Sequence, residues 1–309
     1  MSLTIVMYHY VRPIGAGRFF NLKGLDVGRF RAQLKHIAAH FTPVTMAQVK
    51  RAATDGPPLP DNAALLTFDD GYSDHLRHAL PLLLEHGMQG AFFPPAGAVI
   101  QRRVLDVNKI HFVLALGGDP AVLVERVDTE VAARAAELPL SLAAYRAAHY
   151  APSRFDDAAI TYVKKMLQTV LPLAVRSAIV DELFRAHVTS DETAFADELY
   201  LSVDDLRAME DAGMHVGGHG GTHRRLSHLT DTELDDEIAD TAGLLGRLRQ
   251  SDGARTFCYP YGDYDARVAA RIAQAGFSLA FTTKVAVADL DRDPALELPR
   301  LDTNDLPQQ

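Results

Sequence analysis

Short apolar segments typical of strands alternate along this chain with segments patterned as helices. The strand-like segments are TIVMYH, AALLTFDD, GAFFP, MHVGGH, RTFCYPYG, FSLAFTT and LELPRL. Residues 26–41 show the helical pattern between them, because Phe30, Leu34, Ile37 and Phe41 recur at helical spacing on one face. A strand, a helix and a further strand in succession form a parallel unit with the helix outside the sheet. The alternation therefore predicts an α/β fold, with a sheet that is either open or closed into a barrel.

One long segment interrupts this alternation. From about residue 98 to 200 the sequence is helical and rich in Ala, Leu and Val, with few strand signals. Further on, Thr230 and Glu233 fit a capping box at the start of another helix. We therefore expect a single domain over residues 1–309, interrupted by a helical insertion at about 98–200. The insertion is expected to shape the cleft or to form a contact in a homo-oligomer.

Charge and cysteine usage restrict the partners and the location. The net charge of −9 and the sequence pI near 5.8 argue against nucleic acid or an anionic membrane surface as the main partner. The one cysteine, Cys258, excludes a disulfide within the chain. The first residues lack a signal-peptide pattern, and we find no apolar run long enough to span a membrane. We expect a cytoplasmic protein without a membrane span.

Two adjacent carboxylates end one of the predicted strands. Asp69 and Asp70 follow the apolar segment ALLTF, and Gly71 allows a tight turn out of the sheet. Ligands of parallel α/β folds collect at the carboxyl ends of the strands. Two like charges this close raise one pKa unless a cation intervenes, so a metal on one carboxylate would leave the other as an ionised base. The alternative is an ordinary turn with solvated charges.

The segment GGHGGTH places His219 and His223 four residues apart among glycines. Glycines permit a non-helical turn at a strand end, and such a turn can direct both imidazoles to one point. Two other pairs share this spacing, His36 with His40 on a helix surface and His215 with His219 along a strand. Together with one carboxylate, His219 and His223 would form the ligand set of a catalytic zinc site, with positions open for water and substrate.

Two further segments carry candidate groups. In FCYPYGDYD, Pro260 and Gly262 predict a sharp turn that exposes Tyr259, Tyr261 and the main-chain N–H of Tyr261, which could hold an oxyanion. An ordinary turn between a strand and a helix is the alternative. In LELPRLDTND, Arg300 considered alone indicates a surface ion pair. A histidine such as His9 in the first strand is, considered alone, most often a hydrogen-bonded core residue.

Three of these segments resemble the motifs of a known family. LLTFDDGY is similar to the first motif of the polysaccharide deacetylases of carbohydrate esterase family 4, HGGTH to the second and YPYG to the core of the third. The resemblance covers residues 1–97 and 200–305. It implies a distorted (β/α)7-type barrel, with Asp69 as general base, Asp70, His219 and His223 as metal ligands, and the main-chain N–H of Tyr261 as part of the oxyanion site. Zinc is the default metal, and cobalt, nickel or iron could occupy the same ligands.

The chain departs from the family pattern at two positions. The family's third motif usually carries an arginine where this chain has Cys258, and no histidine follows His228 to supply the usual late general acid. A branch that deacetylates biofilm poly-N-acetylglucosamine places the acid histidine in an early strand ending in YH, which IVMYHYV resembles. His9 is therefore the candidate acid, and Arg300 is the candidate replacement for the missing arginine.

These residues predict a metal-dependent carbohydrate N-deacetylase. It would remove N-acetyl groups from an amino sugar in a polysaccharide or its precursor, in the biosynthesis of surface polysaccharide or lipopolysaccharide. Two alternatives stay open at this point. The first is a catalytically lapsed barrel that binds a glycan or a partner protein, and the second is a deacylase or deformylase of a small nucleotide-sugar amide.

Overall fold

Strands and helices alternate in the folded chain as the sequence predicts. The computed structural model describes residues 1–15, 17–116, 119–153, 156–249 and 255–307. Its strands are β1 (Ser2–Tyr8), β2 (Thr42–Pro43), β3 (Ala63–Asp69), β4 (Gly90–Phe93), β5 (His215–Val216), β6 (Arg255–Cys258), β7 (Phe277–Phe281), β8 (Ala288–Asp289) and β9 (Leu301–Asp302). Its α-helices are α1 (Val27–His40), α2 (Met46–Ala52), α3 (Leu80–Glu85), α4 (Ala96–Ile100), α5 (Asp106–Ala115), α6 (Pro120–Ala133), α7 (Leu142–His149), α8 (Ala158–Lys165), α9 (Leu173–His187), α10 (Glu192–Leu199), α11 (Val203–Asp211), α12 (Asp231–Leu245) and α13 (Ala266–Gln274). Turns of 3-10 type lie at Ala135–Glu137, Leu226–His228, Pro260–Gly262 and Thr303–Asp305, and π-helical turns at His75–Ala79 and Met166–Val170.

Parallel pairing dominates the sheets. β1 pairs in parallel with β3 and β9, β3 with β4, and β4 with β5, whereas β8 pairs antiparallel with β1. β6 and β7 form a second parallel pair. Isolated parallel bridges join Gly218 to Phe257 and Phe281 to Leu298. Main-chain contacts therefore run in the order β9-β1-β3-β4-β5-β6-β7 and return from β7 to the segment just before β9. The predicted α/β class is confirmed.

Strand β3 shows why the first carboxylate motif is buried. Every residue of β3 is buried, as expected of a parallel strand covered on both faces. Leu66 and Phe68 pack with Phe30 and Leu34 of α1 in one hydrophobic cluster. Leu65, on the opposite face, packs with strand residues in a second cluster. Because successive side chains alternate between faces, Asp69 lies on the same face as Leu65.

The described residues form two compact units. One contains the described residues within 1–13, 24–103 and 196–309, with every strand given above. The other contains the described residues within 14–23 and 104–195 and is helical. The segment 104–195 lies within the predicted insertion at 98–200, of which residues 117–118 and 154–155 are outside the described residues. The expectation of one domain over residues 1–309 stays a prediction.

Local signals in the sequence correspond to local structure. Phe30, Leu34 and Ile37 are the buried face of α1, and Thr230 and Glu233 form a capping box at the start of α12. In the helical unit, Lys109 of α5 is buried and its Nζ lies 2.5 Å from Asp181 and 3.0 Å from Glu192. None of the helices in the described part of the chain combines the length and the apolar character that crossing a membrane requires.

Candidate active site

The candidate residues meet where several strands end. His9 directly follows β1, Asp69 ends β3, and Asp70 is the next residue. His219 lies three residues beyond β5, whereas Cys258 ends β6. Arg300 directly precedes β9. All of these positions belong to the unit that contains the strands.

Asp70, His219 and His223 form a buried group that could hold a metal ion. Nε2 of His219 lies 3.4 Å from Oδ1 of Asp70, and Nε2 of His223 lies 3.2 Å from the same atom. Oδ1 of Asp70 has no hydrogen-bond partner among the described residues. The three side chains are at most 8% exposed, so water does not easily solvate these atoms.

The hydrogen bond at Nδ1 of His219 indicates that the group formed by Asp70, His219 and His223 needs a cation. Nδ1 of His219 lies 2.7 Å from the carbonyl oxygen of Cys258, and a carbonyl only accepts, so Nδ1 carries the proton. In the neutral ring, Nε2 then carries a lone pair, and this lone pair faces the lone pairs on Oδ1 of Asp70. Two buried lone pairs facing each other repel, and a cation between them removes the repulsion. Two imidazole nitrogens and one carboxylate oxygen are a donor set that suits zinc and related divalent metals, so the residues fit such an ion.

Two unusual backbone conformations bring the ligands together. Asp70 has a φ of 72° and His223 a φ of 58°, both in the left-handed region that non-glycine residues rarely adopt. Gly71, with a φ of 66°, lies so near Pro94 that an added Cβ would be 2.6 Å from the proline Cβ. Such strain persists where the surrounding structure holds it, and it is frequent at functional sites.

Asp69 is held by Arg300 rather than by the metal group. Nη1 of Arg300 donates to Oδ1 of Asp69 at 2.9 Å, and Nη2 donates to Oδ2 at 2.7 Å. Both side chains are at most 2% exposed. Burial alone would raise the pKa of Asp69, but the charge and hydrogen bonds of Arg300 outweigh it and lower this pKa to about 2. Asp69 is therefore an ionised carboxylate beside the metal group at neutral pH. The ion pair is buried, not on the surface as the segment around Arg300 indicated when considered alone.

Cys258 lies beside this pair and leaves room for Arg300. Its Sγ is 3.2 Å from Oδ2 of Asp69 and 2.9 Å from Nη2 of Arg300. Burial raises the pKa of the Cys258 thiol well above its usual value, so the sulfur stays protonated. The small side chain of Cys258 thus leaves the space beside Asp69 that Arg300 occupies.

His9 lies near both carboxylates. It acts electrostatically on both Asp69 and Asp70, although burial and the groups closer to each carboxylate have larger effects on their pKa values. The main-chain carbonyl of His9 accepts a hydrogen bond from Nε2 of His75 at 2.9 Å. The position of His9 is compatible with its predicted role as general acid, which stays a prediction.

The turn after β6 differs from the prediction at one residue. Tyr259 is fully buried and its ring stacks on Tyr264 with centroids 4.7 Å apart, so the expectation that the turn exposes Tyr259 is wrong. The turn itself lies where predicted, at Pro260–Gly262, but the chain that enters it stays packed inward, because Tyr259 and Pro260 are both buried. Tyr261, with a φ of 58°, is partly buried and its ring contacts that of His223 at 4.5 Å. The oxyanion role of its main-chain N–H stays a prediction.

Two supporting residues escaped the sequence analysis. Glu237 of α12 is buried and accepts hydrogen bonds from the main-chain N–H of Gly221 at 2.6 Å and of Thr222 at 2.9 Å. It thereby fixes the turn that joins the two histidines. The hydroxyl of Tyr72 donates to Oδ2 of Asp70 at 2.6 Å, which leaves Oδ1 directed at the histidines. Tyr72 is the last residue of the LLTFDDGY motif, although no role was predicted for it there, whereas Glu237 belongs to no motif in the sequence.

Comparison with known families matches residues 56–126 and 154–280 to the family described as polysaccharide deacetylase. Because these ranges cover more than half of the chain, the chain belongs to the polysaccharide deacetylase family. The poly-beta-1,6-N-acetyl-D-glucosamine N-deacetylase of Escherichia coli (strain K12) is 44% identical over 43 residues, which are 14% of this chain and 6% of that protein. The chain thus spans only a small part of this curated relative.

Solved structures share the fold of this chain. The Streptococcus pyogenes deacetylase PplD in complex with acetate matches with a TM-score of 0.60 and 15% identity, over 98% of this chain and 92% of that one. IcaB from Ammonifex degensii matches with a TM-score of 0.57 and 18% identity, over 97% and 91% of the two chains. At these identities the likeness extends to the fold, and it confirms the predicted barrel-type α/β architecture. Family membership confirms the predicted enzyme class, a hydrolase of the polysaccharide deacetylase type. The branch with the early YH strand stays a prediction.

Proposed function

We propose that this chain is a metal-dependent hydrolase that removes N-acetyl groups from an amino sugar in a polysaccharide or its precursor. The observation that carries the proposal is that two adjacent carboxylates have different partners. Asp69 is kept ionised by Arg300, whereas Asp70 faces Nε2 of both His219 and His223. One carboxylate is thus available as a base, and the other is available as a ligand.

Asp70, His219 and His223 would hold the ion, with zinc as the default choice. When bound there, such an ion supplies Lewis acidity at the reacting carbonyl and makes water more acidic. Asp69 would accept the proton of the attacking water, because its lowered pKa keeps the carboxylate ionised at neutral pH. Arg300 would hold both oxygens of Asp69 in place without taking a proton itself, since arginine stays charged in proteins.

The leaving group determines what His9 would do. An amine departs poorly from a tetrahedral intermediate unless it receives a proton. His9 lies near Asp69 and Asp70, on which it acts electrostatically. We assign it the role of donating a proton to the departing nitrogen. Arg300 donates hydrogen bonds to both oxygens of Asp69. It is therefore a candidate substitute for the family arginine whose position Cys258 occupies. This substitute favours a working enzyme over a catalytically lapsed barrel.

The chemistry of the substrate follows from the relatives rather than from the site. The Escherichia coli relative is named for poly-beta-1,6-N-acetyl-D-glucosamine, so oligomers of β-1,6-linked N-acetylglucosamine are the first substrates to test. We propose a role in surface polysaccharide or lipopolysaccharide biosynthesis. The cytoplasmic location and a homo-oligomeric state stay predictions.

The test combines metal content with turnover. Metal per chain is measured by elemental mass spectrometry on wild type, on His219→Ala and on His215→Ala, all prepared identically. His215 is the matched control, because it also belongs to the segment around β5 but pairs with Oγ1 of Thr256 instead of Asp70. We expect about one transition metal per chain in wild type and in His215→Ala, and none in His219→Ala.

Amine release is then measured on N-acetylglucosamine oligomers with β-1,6 and β-1,4 linkages, and on small N-acetylated and N-formylated nucleotide sugars. Turnover of an oligomer that is lost in Asp69→Asn supports the proposal. Turnover of small amides alone would replace it with the deacylase of a nucleotide sugar. No metal after incubation with zinc, cobalt, nickel or iron, together with no turnover, would refute it in favour of a protein that only binds glycan.

A further inference from the structure

The loop that carries His9 is fastened at three successive points to the residues that follow the Asp-Asp-Gly turn. The carbonyl of His9 accepts a hydrogen bond from His75, the ring of Tyr10 stacks on Tyr72, and the guanidinium of Arg12 pairs with Asp74. We call residues 72–75 the clamp. Its sequence, YSDH, directly follows the Asp69-Asp70-Gly71 motif.

The hydrogen bond from His75 has a fixed direction. A carbonyl oxygen only accepts, so Nε2 of His75 carries the proton that it donates to His9 at 2.9 Å. His75 is fully buried, and burial lowers its pKa. Its ring contacts those of Phe68, Tyr72 and Phe92, which hold it in this orientation.

The other two contacts hold the loop beyond His9. Nε of Arg12 donates to Oδ2 of Asp74 at 2.7 Å, and Nη2 donates to Oδ1 at 2.9 Å. Asp74 is 3% exposed, so this bidentate pair is far less screened than a surface ion pair. The rings of Tyr10 and Tyr72 lie 4.0 Å apart at an angle of 16°. Together, these contacts fix the main chain on both sides of Val11.

The contacts between the clamp and the loop begin where the pairing of β1 with β3 ends. In the pairing of β1 with β3, the last register pair is Tyr8 with Phe68, the residues just before His9 and Asp69. Up to Tyr8 the ladder fixes the chain. After Tyr8 the contacts above fix it together with Leu25, whose carbonyl accepts from the N–H of Arg12 and whose N–H donates to the carbonyl of Tyr10. A proton donor must be held within a fraction of an ångström and a few degrees of its productive position to be effective.

We propose that Asp74 and His75, with Arg12, are positioning residues that hold the imidazole of His9 beside Asp69 and Asp70. The proposal rests on the role of His9 given under Proposed function. The clamp acts on the main chain of His9 and touches neither the substrate nor a ligand of the metal, apart from Tyr72, which also donates to Asp70.

The test compares two leaving groups. The N-acetylglucosamine oligomer that wild type turns over in the amine-release assay has an amine leaving group that needs a proton. The 4-nitrophenolate of 4-nitrophenyl acetate departs without one. Both rates and the metal content are measured for wild type, Asp74→Asn, Arg12→Gln and His9→Ala. Arg31→Gln is the matched control, because it removes an exposed ion pair in the same unit, in which Nη1 of Arg31 donates to both carboxylate oxygens of Glu85.

We expect Asp74→Asn and Arg12→Gln to lower kcat on the oligomer by about tenfold to a hundredfold, as misplacing a general acid does. The rate on 4-nitrophenyl acetate should stay within about threefold of wild type, and the metal content should not change, since general acid catalysis is not needed there. His9→Ala should show the same selectivity with a larger loss. Arg31→Gln should match wild type on both substrates.

Three results would overturn the inference. Equal losses on both substrates in Asp74→Asn and Arg12→Gln would show general damage to the site instead of a displaced acid. If His9→Ala loses oligomer turnover while Asp74→Asn and Arg12→Gln keep the wild-type rate, the positioning role is refuted and the proposed function still stands. Full oligomer turnover in His9→Ala would refute the role of His9, and with it the clamp, while turnover by wild type would still support a deacetylase.

Discussion

Replacing Arg300 with methionine tests the buried ion pair on which the proposed base depends. The guanidinium donates to Asp69 through two nitrogens, to Oγ1 of Thr67 at 3.1 Å and to the carbonyl of Thr282 at 2.9 Å. Arg300 is 1% exposed, so no water compensates when it is removed. The Arg300→Met variant has a similar volume but leaves the Asp69 carboxylate buried and without its cation.

The magnitude follows from the pKa of Asp69. With Arg300 present this pKa is about 2, below the usual 3.8. Without Arg300 only burial and the more distant histidines act, and burial raises the pKa. A rise from about 2 to 4 or above corresponds to about 3 kcal/mol. Breaking a buried pair by removing one partner costs about 3 to 5 kcal/mol, so the free energy of unfolding should fall by that amount.

The assay is urea denaturation of the metal-free protein at neutral pH, for wild type, Arg300→Met, Asp69→Asn and the double variant. The double variant removes both charges, so it should be more stable than Arg300→Met by about 1 to 3 kcal/mol. In the pH profile of kcat/KM, the acidic limb of Arg300→Met should move to higher pH, because the base becomes easier to protonate.

Three results would contradict this reasoning. A loss below about 1 kcal/mol in Arg300→Met would mean that the pair contributes no more than a surface ion pair. A double variant that is less stable than Arg300→Met would mean that the buried carboxylate is not the source of the loss. An unchanged acidic limb would separate Arg300 from the protonation of the base.

Three further outcomes are expected. Tyr72→Phe removes the hydroxyl on Oδ2 of Asp70 and should weaken zinc binding by about tenfold to a hundredfold in titrations of the metal-free protein; unchanged affinity would show that Asp70 needs no such support. Glu237→Ala leaves two main-chain N–H groups of the histidine turn without their acceptor, so we expect a similar loss of zinc affinity, with Glu237→Gln closer to wild type in the same titration. The low pKa of Asp69 means that its ionised form stabilises the folded state above about pH 4, and that about 2 kcal/mol is lost as the pH falls from about 4 to 2; Asp69→Asn should lack this part of the pH dependence of urea unfolding.

The sequence predicted those features that depend on neighbours in the chain. The apolar run before Asp69 indicated a strand, and the spacing of Phe30, Leu34 and Ile37 indicated one apolar face of α1. Likewise, Thr230 and Glu233 indicated a helix start. Short-range hydrogen bonds and the alternation of side chains produce these patterns. Both act over a few residues, so the patterns can be predicted from the local sequence. The grouping of Asp70, His219 and His223 was also foreseen, because carboxyl ends of parallel strands meet at one edge.

Other features depended on which strands become neighbours. Arg300 and Asp69 are separated by 231 residues, and nothing in either local sequence specifies their bidentate pairing. The burial of Tyr259 and the support of the histidine turn by Glu237 were likewise absent from any local pattern. The sequence by itself therefore determined the alternating elements and the residue types available for chemistry. Only the tertiary structure decided which buried charges meet, because the burial that makes an unpaired carboxylate costly comes from packing residues that are remote in the chain.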